Sequence, residues 1–320
     1  MKNSILVILF LGLGFNAIAQ DDAITSQYLV NPYFVNPAAA GFNGMQNFHA
    51  GIRTGMVSLP QRPTTYYASY NGALGKSVGL GAMLLNDKVG SINKYRMQMS
   101  YAFNWMAGSK TKLSMGLNAE FHQFNIDNGV QTNVFTEGGD LLLAEAINGN
   151  QYFDATLGLF GEYNNRLQFG LTLPNLVRAR LNEGTDEELN PFETAARHFT
   201  AFAGYKLRSK EYDVTVEPSI MIRKGFSAPL ISDFNLRTYF LKDRVSLGGM
   251  VRVIDSETII GVLAGIKFGS LRLNYFYDVS FQRTQRYHGG SHELTLNIEM
   301  LGKKKETAPA EGADPMMPAK

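Results

Sequence analysis

A histidine pair, a glycine–lysine turn and a carboxylate pair are where this chain could do chemistry, and each fails on its surroundings. His288 and His292 are four residues apart with Glu293 adjacent, a spacing that sets two metal ligands on one face of a helix. Here Gly289 and Gly290 lie between them, which makes a loop and a strand start instead. Gly75-Lys76-Ser77 ends like a phosphate-binding loop, but the glycine needed five positions before Gly75 is Tyr70, and no helical pattern follows. Serine, histidine and aspartate occur without a nucleophile elbow to organise them. Asp213 and Glu217 share one face of an alternating segment, where arginines are their simpler partners. The chain has no cysteine, so thiol nucleophiles, disulfides and thiolate metal sites are excluded. A net charge of +2 leaves no electrostatic footprint for nucleic acid. No catalytic residue, metal or cofactor is expected, and the chain does not read as an enzyme.

The elements that would position any site are strands. From about residue 46 to 300 the sequence alternates apolar and polar residues with a period of two. Leu113, Met115, Leu117, Ala119 and Phe121 alternate with Ser114, Gly116, Asn118, Glu120 and His122. Leu271, Leu273, Tyr275, Tyr277 and Val279 repeat the pattern against Arg272, Asn274, Asp278 and Ser280, with Phe276 out of step. About fourteen such strands are expected, near 46–53, 64–70, 78–86, 94–104, 111–124, 152–163, 165–173, 197–208, 212–223, 232–240, 244–252, 258–268, 270–280 and 291–300. Connections are expected to alternate in length: the odd ones, 54–63, 87–93, 125–151, 174–196, 224–231, 253–257 and 281–290, are long, whereas several even ones, Asn164-Asn165, Leu241–Asp243 and Gly269, are tight. That alternation, an apolar face on nearly every strand and aromatics near strand ends predict an all-β transmembrane antiparallel barrel of the outer-membrane type. An even strand count puts both ends of the barrel on one side, expected to be the periplasm. The other face carries both signs of charge, among them Arg53, Arg96, Glu120, Asp154, Glu162, Arg166, Asp213, Glu217, Arg237, Arg252, Lys267, Arg272 and Asp278. Mixed signs predict cross-strand pairing rather than a selectivity ring. A lumen of fourteen strands falls between filled and channel-forming barrels, so it is expected to be narrow or plugged.

The flanks complete the domain plan. Lys2, the apolar run Ile5–Phe15 and Ala17-Ile18-Ala19 form a cleavable signal peptide over 1–19. Residues 20–45 read as an extended segment, a plug or latch, because Pro32 and Pro37 hold Asn31 and Asn36 extended. The barrel follows over 46–301, and residues 302–320, rich in Lys, Glu, Pro and Ala, read as a disordered periplasmic tail.

Several motifs then align in order. Gln27-Tyr28, Asn31-Pro32, Asn36-Pro37-Ala38 and Gly41 follow the signal. Asn86-Asp87-Lys88-Val89-Gly90, Leu173-Pro174-Asn175-Leu176 and Arg197-His198 come next, then Tyr277-Asp278 and Ser291-His292-Glu293. This ordered set resembles the PorP/SprF family of Bacteroidetes. The resemblance implies an outer-membrane component of type IX secretion, linked in some members to gliding motility. Its implied partners are membrane lipid and either the C-terminal sorting domain of a secreted adhesin or the periplasmic ring proteins. The function expected is a non-catalytic anchor or scaffold; the alternative is an outer-membrane porin or passive transporter.

Overall fold

The computed structural model describes residues 26–58, 61–127, 150–177, 179–180, 198–209, 211–225, 229–255, 257–281 and 289–301. The expected signal peptide, the tail and Arg197 lie outside these residues. Sixteen strand segments follow one another: β1 (Met45–Thr54), β2 (Thr64–Leu74), β3 (Val78–Val89), β4 (Ile92–Met106), β5 (Thr111–Ile126), β6 (Asn150–Tyr163), β7 (Leu167–Leu173), β8 (Ala179–Arg180), β9 (Phe199–Tyr205), β10 (Leu207–Ser209), β11 (Val214–Lys224), β12 (Ile231–Phe240), β13 (Val245–Ile254), β14 (Glu257–Phe268), β15 (Leu271–Ser280) and β16 (Ser291–Leu301). Each wall strand pairs antiparallel with its neighbours in the chain, and β16 pairs with β1, from Met45 opposite Leu301 to Thr54 opposite His292. β9 joins β7 to β11, so the sheet closes. The two-residue β8 sits beside β6, off the wall.

β9 and β10 are one strand with a fault, which makes the wall fourteen strands. Gly204 pairs with Ser219 and Leu207 with Val216, so the same register sets Tyr205 opposite Pro218. Proline has no N–H to give the ladder, and pairing lapses for two residues. The Lys206 amide donates instead to the Arg166 carbonyl, 2.9 Å away.

The alternation sorts side chains as lipid and lumen require. On β4, Tyr95, Met97, Met99, Tyr101, Phe103 and Trp105 are exposed, while Gln98, Ser100, Ala102 and Asn104 between them are buried. Lipid satisfies the first set, and only a closed ladder leaves no open backbone edge in hydrocarbon. Paired aromatics must split across the two faces. Tyr66 and Phe153 point outward, but Tyr67 packs inward on Phe34 and Tyr152 stacks on His122 inside. Phe276, out of step in the sequence, is an inward residue that is buried in the lumen.

One end of the barrel is made of tight turns throughout and the other carries the long connections. The expected connections 87–93 and 253–257 shrink there to two residues each, because the ladder runs on to pair Val89 with Ile92 and Ile254 with Glu257. Asn164 and Asn165, both at φ +54, supply the two left-handed positions of a type I′ turn. Arg166 and Asp213 have the inward parity but lie exposed in these turns, past the strand ends, rather than in the lumen.

The described chain before β1, residues 26–44, lies inside the barrel. It is not extended throughout: Gln27–Leu29, Pro32–Phe34 and Pro37–Ala39 are single-turn 3-10 helices. Asn31 and Asn36 are extended, as the prolines demand, with φ of −137 and −142. Each asparagine side chain then accepts from the backbone N–H two residues on, Tyr33 at 3.2 Å and Ala38 at 2.9 Å. Asn as cap and Pro at the first position is the pairing that starts a helical turn, so each Asn-Pro starts a turn rather than prolonging an extended chain.

Candidate functional site

The site is the inner segment, residues 26–44, and the wall it touches. The first floor it meets is a trough of small residues. Gly79 pairs with Ala102, Ala102 with Gly116, Gly116 with Gly158, and Gly158 with Thr172, one register row across five strands. The backbone of Pro37–Ala40 rests on that row. A Cβ at Gly116 would lie 2.5 Å from the Ala38 amide nitrogen, and one at Gly79 would lie 1.9 Å from the Ala40 carbonyl oxygen. Gly41 turns the chain away at φ +62, against Gly72 and Ala73. Apolar contacts flank the trough: Phe34 meets Tyr67 edge-on at 5.0 Å, and Phe42 meets Phe160 at 4.9 Å.

Replacing Gly116 with valine should unseat this half of the segment, because its neighbours there are backbone atoms that cannot swing aside. Overpacking of this kind costs about 1–3 kcal/mol. Limited proteolysis of detergent-solubilised protein should then cut near residues 30–40 in the variant and not in the parent; equal protection would contradict the close contact.

Polar contacts hold the segment elsewhere. The Tyr33 hydroxyl meets Ser100 Oγ at 2.7 Å, and Asn36 Nδ2 donates to the Leu159 carbonyl at 2.8 Å. Gln27, fully buried, meets His49 Nε2 at 2.7 Å. Tyr28 donates to Asp233 at 2.8 Å, Arg237 to the Leu29 carbonyl, and the Ser26 amide to Glu293 at 3.2 Å. Burial, with the Asp233 carboxylate beside it, pushes the Tyr28 phenol well above its ordinary range, so it remains a donor. The segment thereby spans the lumen, from β12 and β16 to β4 and β6.

Two charged hubs stand behind these contacts. Asp233 takes Arg252 through two bonds, at 2.7 and 3.0 Å, and Arg223 at 3.1 Å. Arg53 joins Asp278 at 2.8 Å to Glu293 at 3.3 Å. Arg237 pairs with Glu217 at 2.7 Å, and Lys267 with Glu299. The expected cross-strand pairing of lumen charges is what the wall contains.

The motif residues of the sequence separate into places. Gln27, Tyr28, Asn31, Pro32, Asn36, Pro37, Ala38 and Gly41 form the segment itself, and Asp278 and Glu293 meet it through the second hub. Asn86, Asp87, Lys88 and Gly90 stand at the wide end, where Asp87 accepts from Thr65 at 2.7 Å and the Gly90 amide donates to Gln61. Pro174 and Asn175 leave β7; the Asn175 side chain contacts His198, and the Leu176 amide bonds Ala155 at 2.9 Å. Ser291 opens β16, and strand alternation sends His292 outward, where it meets the Tyr275 hydroxyl at 2.6 Å and packs on Tyr277. His288 lies outside the described residues, and no group of three metal-ligating side chains occurs among the described ones. The motifs did not point to Asp233, Arg223 or the trough glycines. Glycines at lumen parity, as in Ser114-Met115-Gly116 and Thr156-Leu157-Gly158, are the signal that marks the trough.

A family model described as "Type IX secretion system membrane protein PorP/SprF" matches residues 17–298. No curated protein matches the chain. Among solved structures it is similar to the CymD monoaromatic hydrocarbon channel, at 11% identity and TM-score 0.49, covering 86% of this chain and 92% of that one. It is also similar to the Ralstonia pickettii toluene transporter TbuX, at 9% identity and TM-score 0.49, with 83% and 92% covered. The Acinetobacter baumannii outer membrane protein Omp33 follows at 7% identity and TM-score 0.45, with 81% and 99% covered. Likeness at this level carries nothing about what this chain binds or passes.

Proposed function

This chain belongs to the PorP/SprF family of type IX secretion system membrane proteins, and from that premise we propose that it is a non-catalytic outer-membrane anchor rather than a pore. The observation that carries this reading is the inner segment, whose side chains and backbone are bonded to both sides of the lumen. Among the described residues, two pockets lie beside it against the wall, one lined by Ser26, Leu29 and Met250 and the other by Tyr28, Asn36 and Phe160. In this reading residues 26–44 are a plug, and the ion pairs brace a wall that transmits load instead of passing solute. The lipid-facing strands anchor the protein. The tight-turn end, with both ends of the barrel, faces the periplasm and the ring proteins. The wide end faces outward, where the connections 125–151 and 174–196 hold the sorting domain of a secreted adhesin.

Deleting either long connection is expected to abolish retention of the cognate surface protein while leaving the barrel in the outer-membrane fraction. Retention that survives both deletions removes the surface-binding role. Bilayer recording on the intact protein separates anchor from porin, since a plugged barrel should show little conductance.

A further inference from the structure

The cations of this barrel fall into two populations. Five of those in the lumen are paired: Arg53, Arg223, Arg237, Arg252 and Lys267 meet carboxylates. Those at the tight-turn end, apart from Lys206 on Glu162, are not. Lys76, Lys110, Arg166, Arg208, Lys242 and Arg244 are exposed, and none forms an ion pair among the described residues. They stand on or beside every described turn of that end except Gly269-Ser270. Glu162 and Glu299 are taken by Lys206 and Lys267. Three further carboxylates share that end, those of Glu211, Asp213 and Asp243, so the rim keeps a surplus of positive charge.

The position of these cations identifies what they face. Each lies just past the last outward apolar side chain of its strand or on the turn that follows it. Lys76 follows Leu74, Lys110 follows Trp105, Arg166 follows Tyr163, and Lys242 follows Leu241, all exposed. An apolar band ending in aromatics and then cations is the depth order of acyl chain, interface and phosphate headgroup. Two of the long connections are opposite in sign by sequence, although Arg62 and Lys88 stand at the wide end as well. The stretches 127–149 and 181–196 carry Asp127, Glu137, Asp140, Glu145, Glu183, Asp186, Glu187, Glu188 and Glu193, with no lysine or arginine.

We propose that the tight-turn rim is a collar that binds the phosphate headgroups of anionic phospholipids in the leaflet it touches. The collar gathers those lipids around the barrel and fixes its depth. This inference rests on the reading of the wall as lipid-facing, and the test keeps the two apart. Purified full-length protein in detergent is titrated with phosphatidylglycerol or phosphatidylcholine, and bound lipids are counted by native mass spectrometry. The parent should retain phosphatidylglycerol in preference, by about fivefold for each engaged cation at low salt, and inorganic phosphate at millimolar concentration should not displace it. Lys76→Gln, Lys110→Gln, Arg166→Gln, Lys242→Gln and Arg244→Gln combined should abolish the preference, and Lys110→Gln with Arg166→Gln should reduce it. Arg62→Gln with Lys88→Gln, at the wide end, should leave it intact. Equal retention of the two lipids by the parent, displacement by free phosphate, or a preference that survives the five substitutions overturns the collar. Heat-modifiable migration on gels, followed in every variant, reports the barrel separately: its absence in the parent would count against the lipid-facing wall instead.

Discussion

Deletion of residues 26–41 should convert a barrel of little conductance into an open channel, raising single-channel conductance by at least about tenfold. The expectation follows from where the segment lies. Its anchors reach across the lumen, with Tyr28 on Asp233 of β12 and Tyr33 on Ser100 of β4, so its removal clears the middle rather than one side. A fourteen-strand wall is wider than the eight-strand barrels that side chains alone can fill. The wall itself should survive, because every strand pair from β1 to β16 is independent of the segment. Heat-modifiable migration checks that survival, and planar-bilayer recording reads the conductance. A deletion that folds and conducts no better than the parent would falsify the plug.

Asp233→Ala should be the most damaging single change in the wall, costing about 3–5 kcal/mol. The carboxylate is fully buried, with Arg252 at 1% exposure beside it and Arg223 at 3.1 Å. Its loss takes from Arg252 and Arg223 the carboxylate they share, and from Tyr28 its shorter hydrogen bond. Breaking a buried pair from one side costs far more than the pair contributes, because the surviving charge stays desolvated. Replacing the tyrosine alone, Tyr28→Phe, removes one hydrogen bond and keeps the ion pairs, so about 1–2 kcal/mol is expected. Urea unfolding in detergent micelles, followed by tryptophan fluorescence from Trp105, measures both. A similar cost for the two substitutions would mean that the arginines are not held by Asp233.

The wall was legible because its rule is local. A strand exposed to lipid on one side and to a polar lumen on the other must alternate, and it does so from Met45 to Leu301. The limits of that rule are also local. Parity assigns Arg166 and Asp213 to the inner face but says nothing of height, and both lie exposed in turns beyond their strand ends instead of in the lumen. The aromatic pairs Tyr66-Tyr67 and Tyr152-Phe153 look like interface anchors in composition, yet a period of two sends one member of each inside. The site was legible only as a list of motif residues. What brings Tyr28 to Asp233, or Ser26 to Glu293, is closure of the whole sheet, which no window of sequence contains. The trough lies between these extremes, since glycines at lumen parity are visible strand by strand but become a floor only through the register of five strands.

The contacts of the inner segment also impose an order of events. Ser26 meets Glu293 across 267 residues of chain, and Arg53 meets Asp278 across 225. Contacts between such distant residues pay their loop-closure entropy before they return anything. β1 and β16 cannot zip into a closed wall with Ser26 on the outside, because its partner faces inward. The segment must therefore already lie against β3 to β6 when the last strand arrives, and the trough is a place for it to wait. Assembly then has a natural checkpoint: a chain that has lost its seat on the glycines closes around an empty lumen.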